Sequence, residues 1–265
     1  MEGGKGSSRV WTRARIAQMA ADTTSIAENI ARARERIARA AERARRRSED
    51  VTLVAISKTF PAEAIREAYA GGVSHFGENR VREWEGKRGE LADLSATWHL
   101  VGHLQSNKVK RAANLFHAID SIDGVKLAQK LEAALAAQSE NSSSAGDSES
   151  ARRVGVLLEV RLSPEDSKSG VEEAGLPELA EKVLALPHLE LRGLMTIPPF
   201  LEDSEQARPY FRKLREIRDS LSARTGRPLP ELSMGMSHDF EIAVEEGATQ
   251  VRLETAIFGV RPRML

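Results

Sequence analysis

The sequence predicts an α/β protein folded as a single (β/α)8 barrel, or TIM barrel. Three observations predict this fold: short apolar runs alternate with helical patterns, the alternation gives eight strand-and-helix units, and 265 residues suffice for one barrel. Strands separated by helices pair in parallel through crossovers, as in the barrel. The alternative is an open doubly wound sheet, which favours a Gly-rich turn after the first strand, whereas residues 57–61 contain no glycine.

The elements begin with an extra helix that precedes the first strand. Ser25 and Glu28 form a capping box, and apolar residues then recur at helical spacing. Residues 1–24 show no clear pattern, so we expect an N-terminal extension followed by a barrel domain at 25–265. The predicted strands are 51–57, 73–78, 97–102, 115–121, 153–162, 190–197, 231–236 and 249–258. The predicted helices between them are 61–70, 80–93, 105–113, 124–138, 172–186, 203–225 and 238–247.

A tract rich in serine and other small polar residues interrupts the alternation at 139–150. Because such a composition buries little apolar area, we expect a flexible insertion between a helix and the fifth strand. A connection of that kind lies on the face opposite a barrel's active site, so no role in the site is expected.

Composition excludes several classes of function. Lys+Arg 39 balances Asp+Glu 39, so no overall field steers the chain to nucleic acid, and we expect no nucleic-acid partner. No apolar stretch approaches the roughly 20 residues of a membrane span, and no signal-peptide core is apparent, so no membrane partner is expected. The absence of cysteine excludes thiolate catalysis and fits a reducing compartment, and we expect a cytoplasmic protein.

Lys58 is the first candidate functional residue, because it follows the apolar run 51–56 at the carboxyl end of the first predicted strand. A lysine in that place is partly desolvated, and its amine can condense with an aldehyde. The alternative is a strand-end lysine whose amine simply reaches water.

Polar residues at other strand ends would share one mouth with Lys58, since the strand ends of a barrel converge. Ser237 precedes a predicted helix, where it would be either a phosphate donor or an ordinary helix cap. Arg252 and Glu254 fall on one strand face, where they would form an ion pair or leave Arg252 to bind a ring atom of the ligand. The residues placed at this mouth are Lys58, Asn79, His103, Met195, Ser237 and Thr255.

Two histidines at 99 and 103 do not predict a metal site. Four residues of strand span roughly 13 Å, too far for both rings to bind one ion. We expect His99 to be a core residue and His103 to line the pocket. The Gly-x-Ser-x-Gly, P-loop and His-Glu-x-x-His motifs are all absent, which removes the main support for hydrolase and nucleotide triphosphatase functions.

Five ordered sequence blocks resemble the pyridoxal phosphate homeostasis proteins, the YggS/PROSC family. The resemblance runs from about residue 25 to the carboxyl end, and the blocks are 54–59, 76–79, 98–108, 192–199 and 232–237. It implies an alanine racemase N-terminal-domain-like barrel that holds pyridoxal 5'-phosphate as a Schiff base. By this resemblance, the cofactor-binding residues are Lys58 as the Schiff-base lysine, Asn79 and Met195 in the pocket, Ser237 and Thr255 at the phosphate, and Arg252 at the pyridine nitrogen.

The sequence departs from the family at Glu254, where the family block reads Arg-Ile/Leu-Gly-Thr. A carboxylate beside a phosphate is repelled, which weakens binding unless Glu254 turns away to pair with Arg252 or another cation. His238 also departs from the family, and its ring would help to neutralise phosphate.

Three functions follow from these features. The favoured one is a carrier that buffers or delivers pyridoxal phosphate in intracellular homeostasis without turnover of its own. Its expected partners are cofactor-dependent apoenzymes, and its expected state is a monomer. The second is an amino-acid racemase, which needs a second acid/base on the opposite ligand face; Tyr69 and Tyr210 fall in predicted helices away from the strand ends. The third is a barrel that has lost the cofactor through Glu254.

Overall fold

Eight parallel strands close into a barrel in the structure of this protein, a computed structural model. The structure describes residues 25–143, 152–162 and 169–259. Each strand pairs in parallel with its neighbours in chain order, and β1 also pairs with β8, which closes the barrel. The predicted fold class is therefore confirmed, while the predictions for residues 1–24 and 144–150 lie outside the described residues.

The elements lie close to their predicted positions. The strands are β1 (Thr52–Ile56), β2 (His75–Glu78), β3 (Thr97–Leu100), β4 (Ala118–Ile122), β5 (Val154–Glu159), β6 (Leu189–Met195), β7 (Glu231–Met236) and β8 (Gln250–Leu253). The helices are α1 (Ile26–Arg43), α2 (Ala62–Ala70), α3 (Val81–Lys87), α4 (Val109–Leu115), α5 (Val125–Ser143), α6 (Leu176–Leu184), α7 (Arg208–Thr225), α8 (Phe240–Glu245) and α9 (Thr255–Phe258).

The extra helix α1 starts at the predicted capping box. The Ser25 hydroxyl accepts a hydrogen bond from the Glu28 N–H at 3.2 Å, and the Glu28 carboxylate accepts one from the Ser25 N–H at 3.0 Å. The apolar face of α1 is buried against α8 and α9, and Arg36 forms a 2.7 Å ion pair with Glu241 of α8. Helix α1 therefore covers the side of the barrel that the carboxyl-terminal elements form.

The strand periodicity separates two apolar regions. In β1, Ala55 packs in the large core between the strands and the surrounding helices. Val54 and Ile56 instead form a small cluster with Val101, which directly follows β3. Because successive strand residues point to opposite faces, Val54 and Ile56 share the inner face. Lys58 follows in the turn after β1 and lies at the mouth of the barrel.

Strand β8 is shorter than predicted. It ends at Leu253, and residues Thr255–Phe258 form a helical turn instead of continuing the strand. The backbone leaves the extended conformation at Glu254, where ψ is −76°, and Phe258 then stacks on Phe60 with ring centroids 4.5 Å apart. A short apolar run has no periodicity that separates a strand from a helix, and here aromatic packing favours the helical turn.

Several helices also differ from prediction at their ends, and the predicted helix 80–93 ends already at Lys87. Helix α5 continues to Ser143, so the first part of the Ser-rich tract is helical rather than loop. Helix α8 begins at Phe240, two residues later than predicted, with Asp239 in the N-cap position. Among the described residues, no helix combines the length and apolarity needed to cross a membrane.

Candidate functional site

A cavity of about 520 Å³ opens at the carboxyl ends of the strands. It contains side chains from almost every side of the barrel, because inward-facing positions at successive strand ends converge there. Five of the six predicted cofactor-binding residues line it, together with six further polar residues. The lining includes Lys58, Asn79, Ser237, Arg252 and Thr255 from the predicted set, and His103, Glu159, Arg161, Ser169, His238 and Glu254 in addition.

Met195 is the predicted residue that does not line this cavity. It is fully buried at the end of β6, where it is in register with Glu159 of β5. Its backbone carbonyl accepts a hydrogen bond from the Val160 N–H at 2.7 Å, so its observed contacts hold two strand ends together.

Lys58 projects into the cavity and forms an ion pair with Glu254. The distance between Lys58 Nζ and Glu254 Oε2 is 3.0 Å, and the exposed fractions of the two side chains are 27% and 17%. Of the alternatives that the sequence left open for Glu254, the structure shows pairing with a cation other than Arg252, and that cation is the candidate amine itself. The early end of β8 explains this, because the helical turn removes residue 254 from the strand alternation.

The loop that carries Lys58 is fixed by a buried charged cluster. The Lys87 ammonium donates to the Ser57 carbonyl at 2.8 Å and pairs with the Glu78 carboxylate at 2.7 Å, while Glu78 is fully buried. The Ser57 hydroxyl also donates to Glu78 at 2.6 Å. Burial raises the pKa of Glu78, and Lys87 opposes that effect.

Thr59 completes this loop with a left-handed backbone, at a φ of +66°. This conformation is unfavourable for a β-branched residue and persists only where contacts hold it. The Thr59 N–H donates to the Glu83 carboxylate, and the Lys87 ammonium lies 3.4 Å from the same carboxylate. Helix α3 thus positions the residues on both sides of Lys58.

Ser237 lies at a junction between the ends of β7 and β8. Its hydroxyl oxygen accepts hydrogen bonds from the backbone N–H groups of Glu254 and Ala256, each at 3.2 Å. The prediction that Ser237 caps the following helix is wrong, since α8 starts at Phe240. Ser237 lies instead in the turn before that helix, with its hydroxyl beside the backbone that leads into Thr255.

Arg252 contributes a buried cation to the cavity. Its guanidinium donates to the Ser233 hydroxyl at 2.7 Å and to the Thr196 carbonyl at 2.8 Å, both neutral acceptors. Burial lowers the pKa of Arg252, but a guanidinium starts from so high a value that it stays charged. No carboxylate of the described residues lies within 4.0 Å of it. Its charge is thus available to a ligand.

Glu159 is a buried carboxyl group that also faces the cavity. Its exposed fraction is 6%, and its Oε2 atom has no hydrogen-bond partner among the described residues. Burial raises the pKa of Glu159 to about 7, with a further contribution from Asp123 and opposing contributions from Arg252 and His103. The side chain can therefore exchange a proton near neutral pH.

The histidines occupy the places that the sequence indicates. His103 lines the cavity, and its Nδ1 lies 3.2 Å from Asp123. His99 is buried and contacts the His75 ring at 3.0 Å and Asp120 at 3.2 Å, so it is a core residue with polar partners. His238 also lines the cavity, where its Nε2 lies 3.1 Å from the carbonyl of Leu201.

Two parts of this site escape prediction from sequence. Glu159 had a detectable signal, because a charged residue at the end of the apolar run 154–158 matches the position of Lys58 at the end of β1. Lys87 had no detectable signal in the sequence, because a lysine near the end of a polar helix is common. Its contacts with the 57–60 loop depend on tertiary packing.

Comparisons with known proteins agree with the fold and with the residue blocks. The family model described as "Alanine racemase, N-terminal domain" matches residues 22–262. A pyridoxal phosphate homeostasis protein of Aquifex aeolicus is 47% identical over 79% of this chain and 86% of its own length. One from Pseudomonas aeruginosa is 44% identical over 90% of this chain and 96% of its own length. PipY from Synechococcus elongatus PCC7942, solved with PLP bound, superposes with a TM-score of 0.75 at 37% identity, covering 89% of this chain and 100% of PipY.

Proposed function

Because this chain belongs to the family of pyridoxal phosphate homeostasis proteins, we propose that it binds pyridoxal 5'-phosphate and acts in the homeostasis of that cofactor. The observation that carries this proposal is the convergence of an amine, a hydroxyl and a guanidinium on one cavity. Lys58, Ser237 and Arg252 come from distant parts of the chain and meet at the carboxyl face of the barrel. That face is where barrels hold phosphorylated ligands.

The donors of the cavity suit the chemical groups of the cofactor. An amine matches the aldehyde, hydroxyl and backbone N–H groups match the phosphate, and a guanidinium matches the pyridine nitrogen. In this proposal Lys58 holds the cofactor as a Schiff base, Ser237 and Thr255 hold its phosphate, and Arg252 faces its ring nitrogen. Asn79 lines the pocket, whereas Met195 supports it from outside the lining. The Glu254 carboxylate opposes the fit, because it adds negative charge beside the amine.

We further propose that the protein is a carrier with no turnover of its own. When bound, the cofactor supplies an electron sink, whose strength depends on protonation of the pyridine nitrogen. The permanently charged Arg252 disfavours a second positive charge beside it and so keeps that sink weak. A racemase needs a second acid/base opposite the lysine, and Tyr69 and Tyr210 lie in helices α2 and α7, outside the cavity lining.

The same proposal extends to partners and location. A carrier without turnover passes its cofactor to dependent apoenzymes, and we propose these as its partners. We also propose a monomer in the cytoplasm, a compartment that suits a chain without cysteine.

Borohydride trapping tests the cofactor proposal. The protein is mixed with pyridoxal 5'-phosphate, reduced with borohydride and digested, and the modified peptides are identified by mass. We expect modification at Lys58, loss of the visible absorbance in Lys58→Ala, and no change in Lys182→Ala, which removes an exposed lysine of α6. Equal absorbance and labelling in Lys58→Ala would contradict the proposal.

A separate measurement tests the absence of turnover. The cofactor-loaded protein is incubated with single enantiomers of alanine and serine while optical rotation is followed. We expect constant rotation, and a sustained loss that disappears in Lys58→Ala would show that the protein is a racemase.

A further inference from the structure

A second cavity, of about 410 Å³, lies beside the candidate cofactor cavity. The segments that follow β2 and β3 form it, and Asn79, Gly102 and His103 line both cavities. A ligand held in the second cavity would therefore lie at the rim of the first. We call the second cavity the basic groove, and its polar lining consists of Asn79, Arg80, Arg82, His103, Gln105 and Lys108.

Three cationic side chains of the basic groove have no partner within the part of the chain that the structure describes. Arg80 and Arg82 are exposed and Lys108 is half-buried, and none of the three side chains forms an ion pair or a hydrogen bond there. His103 differs from them, since its Nδ1 lies 3.2 Å from Asp123. The charges of the two arginines and the lysine are thus available to a ligand.

The carboxylates of the adjacent helix α3 are engaged elsewhere. Glu83 accepts a hydrogen bond from the Thr59 N–H and lies 3.4 Å from the Lys87 ammonium. Glu85 pairs with Arg111 at 3.3 Å. No carboxylate of the described residues lines the basic groove itself. The groove therefore presents positive charge that the neighbouring acidic groups do not pair with directly.

These donors suit a phosphate group. A guanidinium presents parallel N–H groups to two phosphate oxygens, and an ammonium adds a compact charge. The side-chain amides of Asn79 and Gln105 offer neutral N–H donors beside the three cations. Positive charge at the edge of a cleft also raises the local concentration of anions and speeds their association with the cleft.

We propose that the basic groove is a second, anion-binding site, which captures the phosphate group of a phosphorylated aldehyde before the aldehyde reaches Lys58. Ion pairs and hydrogen bonds alone hold the ligand there, and no covalent bond forms. This inference rests on the proposed function in one respect, because it takes Lys58 as the destination of the aldehyde. The consequence is faster loading with a phosphorylated aldehyde than with one that lacks the phosphate.

Phosphorus NMR with inorganic phosphate tests the site directly. Borohydride reduction of the cofactor-loaded protein first fills the cofactor cavity, so that added phosphate meets the basic groove alone. We expect broadening of the phosphate line that saturates with protein concentration, and loss of most of this broadening in the double variant Arg80→Gln/Arg82→Gln. The matched control is Arg88→Gln/Lys110→Gln, which removes two exposed cations outside the groove lining and should broaden the line as the wild type does.

Stopped-flow absorbance tests the role of the basic groove in loading. At low ionic strength we expect pyridoxal 5'-phosphate to associate with Arg80→Gln/Arg82→Gln at least about fivefold more slowly than with the wild type, and with the control variant less than about twofold more slowly. Pyridoxal, which lacks the phosphate, should associate with all three proteins at similar rates. Thermal melts establish that each variant is folded.

Three outcomes would overturn the inference. They are equal broadening of the phosphate line in the wild type and Arg80→Gln/Arg82→Gln, equal slowing of association in that variant and in the control, and equal slowing for pyridoxal and pyridoxal 5'-phosphate. Failure of borohydride to label Lys58 would instead contradict the proposed function. Phosphate broadening measured on the unreduced protein would then still decide whether the basic groove binds anions.

Discussion

Replacing Glu159 with glutamine is expected to stabilise the protein above neutral pH. Glutamine keeps the shape of the side chain and removes its ability to ionise. Glu159 is 6% exposed, and its Oε2 has no hydrogen-bond partner among the described residues, so its charged form is poorly solvated. The substitution therefore removes the free energy spent on ionising a buried carboxyl group.

The magnitude follows from the pKa. Burial raises the pKa of Glu159 from the ordinary 4.5 to about 7, so the folded protein keeps a proton that the unfolded chain releases. Stability contributed by this group is fully present below the unfolded pKa and decreases as pH rises through the interval from 4.5 to about 7. The whole interval corresponds to about 3 kcal/mol, and we expect Glu159→Gln to recover much of it near pH 8 and little of it near pH 4.

Urea unfolding of the wild type and Glu159→Gln, from about pH 4 to about pH 8, measures this effect. Asp123, Arg252 and His103 act on Glu159 electrostatically and are present in both proteins, so the comparison isolates the change at residue 159. Glu173→Gln serves as the control for an exposed carboxylate and should show a small, flat difference. A difference between wild type and Glu159→Gln that does not change with pH would refute the raised pKa.

Two further predictions concern the elements that position the site. Lys87→Met should destabilise the protein by about 3 kcal/mol or more in urea unfolding, because it leaves the buried Glu78 carboxylate without its cation. Adding Glu78→Gln should recover part of this loss. An unchanged unfolding midpoint in Lys87→Met would contradict the prediction. Gly235→Ala should lower the thermal midpoint more than Gly226→Ala does, because both residues have positive φ but only a Cβ at 235 would lie 2.5 Å from a side chain of α8. Equal shifts of the two midpoints would show that backbone strain, and not crowding against α8, accounts for the effect.

The fold could be predicted from the sequence because the patterns that indicate it extend over only a few residues. The capping box at Ser25 needs only two residues three positions apart, and the predicted bonds are present. Strand positions followed from apolar runs, and the end of the first run placed Lys58 at the carboxyl end of β1, where it lines the cavity. The predicted end of β8 was wrong, because the apolar run 255–258 has no periodicity that separates a strand from a helix. Its helical turn depends on packing against Phe60.

The sequence predicted the candidate site only in outline. The convergence of Lys58, Ser237 and Arg252 follows from the geometry of any barrel, once each is placed at the end of a strand. The ion pair between Lys58 and Glu254 does not follow, since it depends on where β8 ends and on which rotamer reaches across the mouth. The support that Lys87 gives to the Lys58 loop likewise depends on how helix α3 packs.

The sequence by itself determined the order of the elements and most of the predicted side chains that reach the mouth of the barrel. Those properties arise from the two-residue and 3.6-residue periods and from capping, which act within a few residues. Only the tertiary structure decided which charges meet: Glu254 with Lys58, Lys87 with Glu78, and Glu159 with no hydrogen-bond partner at Oε2 in the described chain. Electrostatic energy depends on distance and burial between residues far apart in sequence, and a local pattern contains neither quantity.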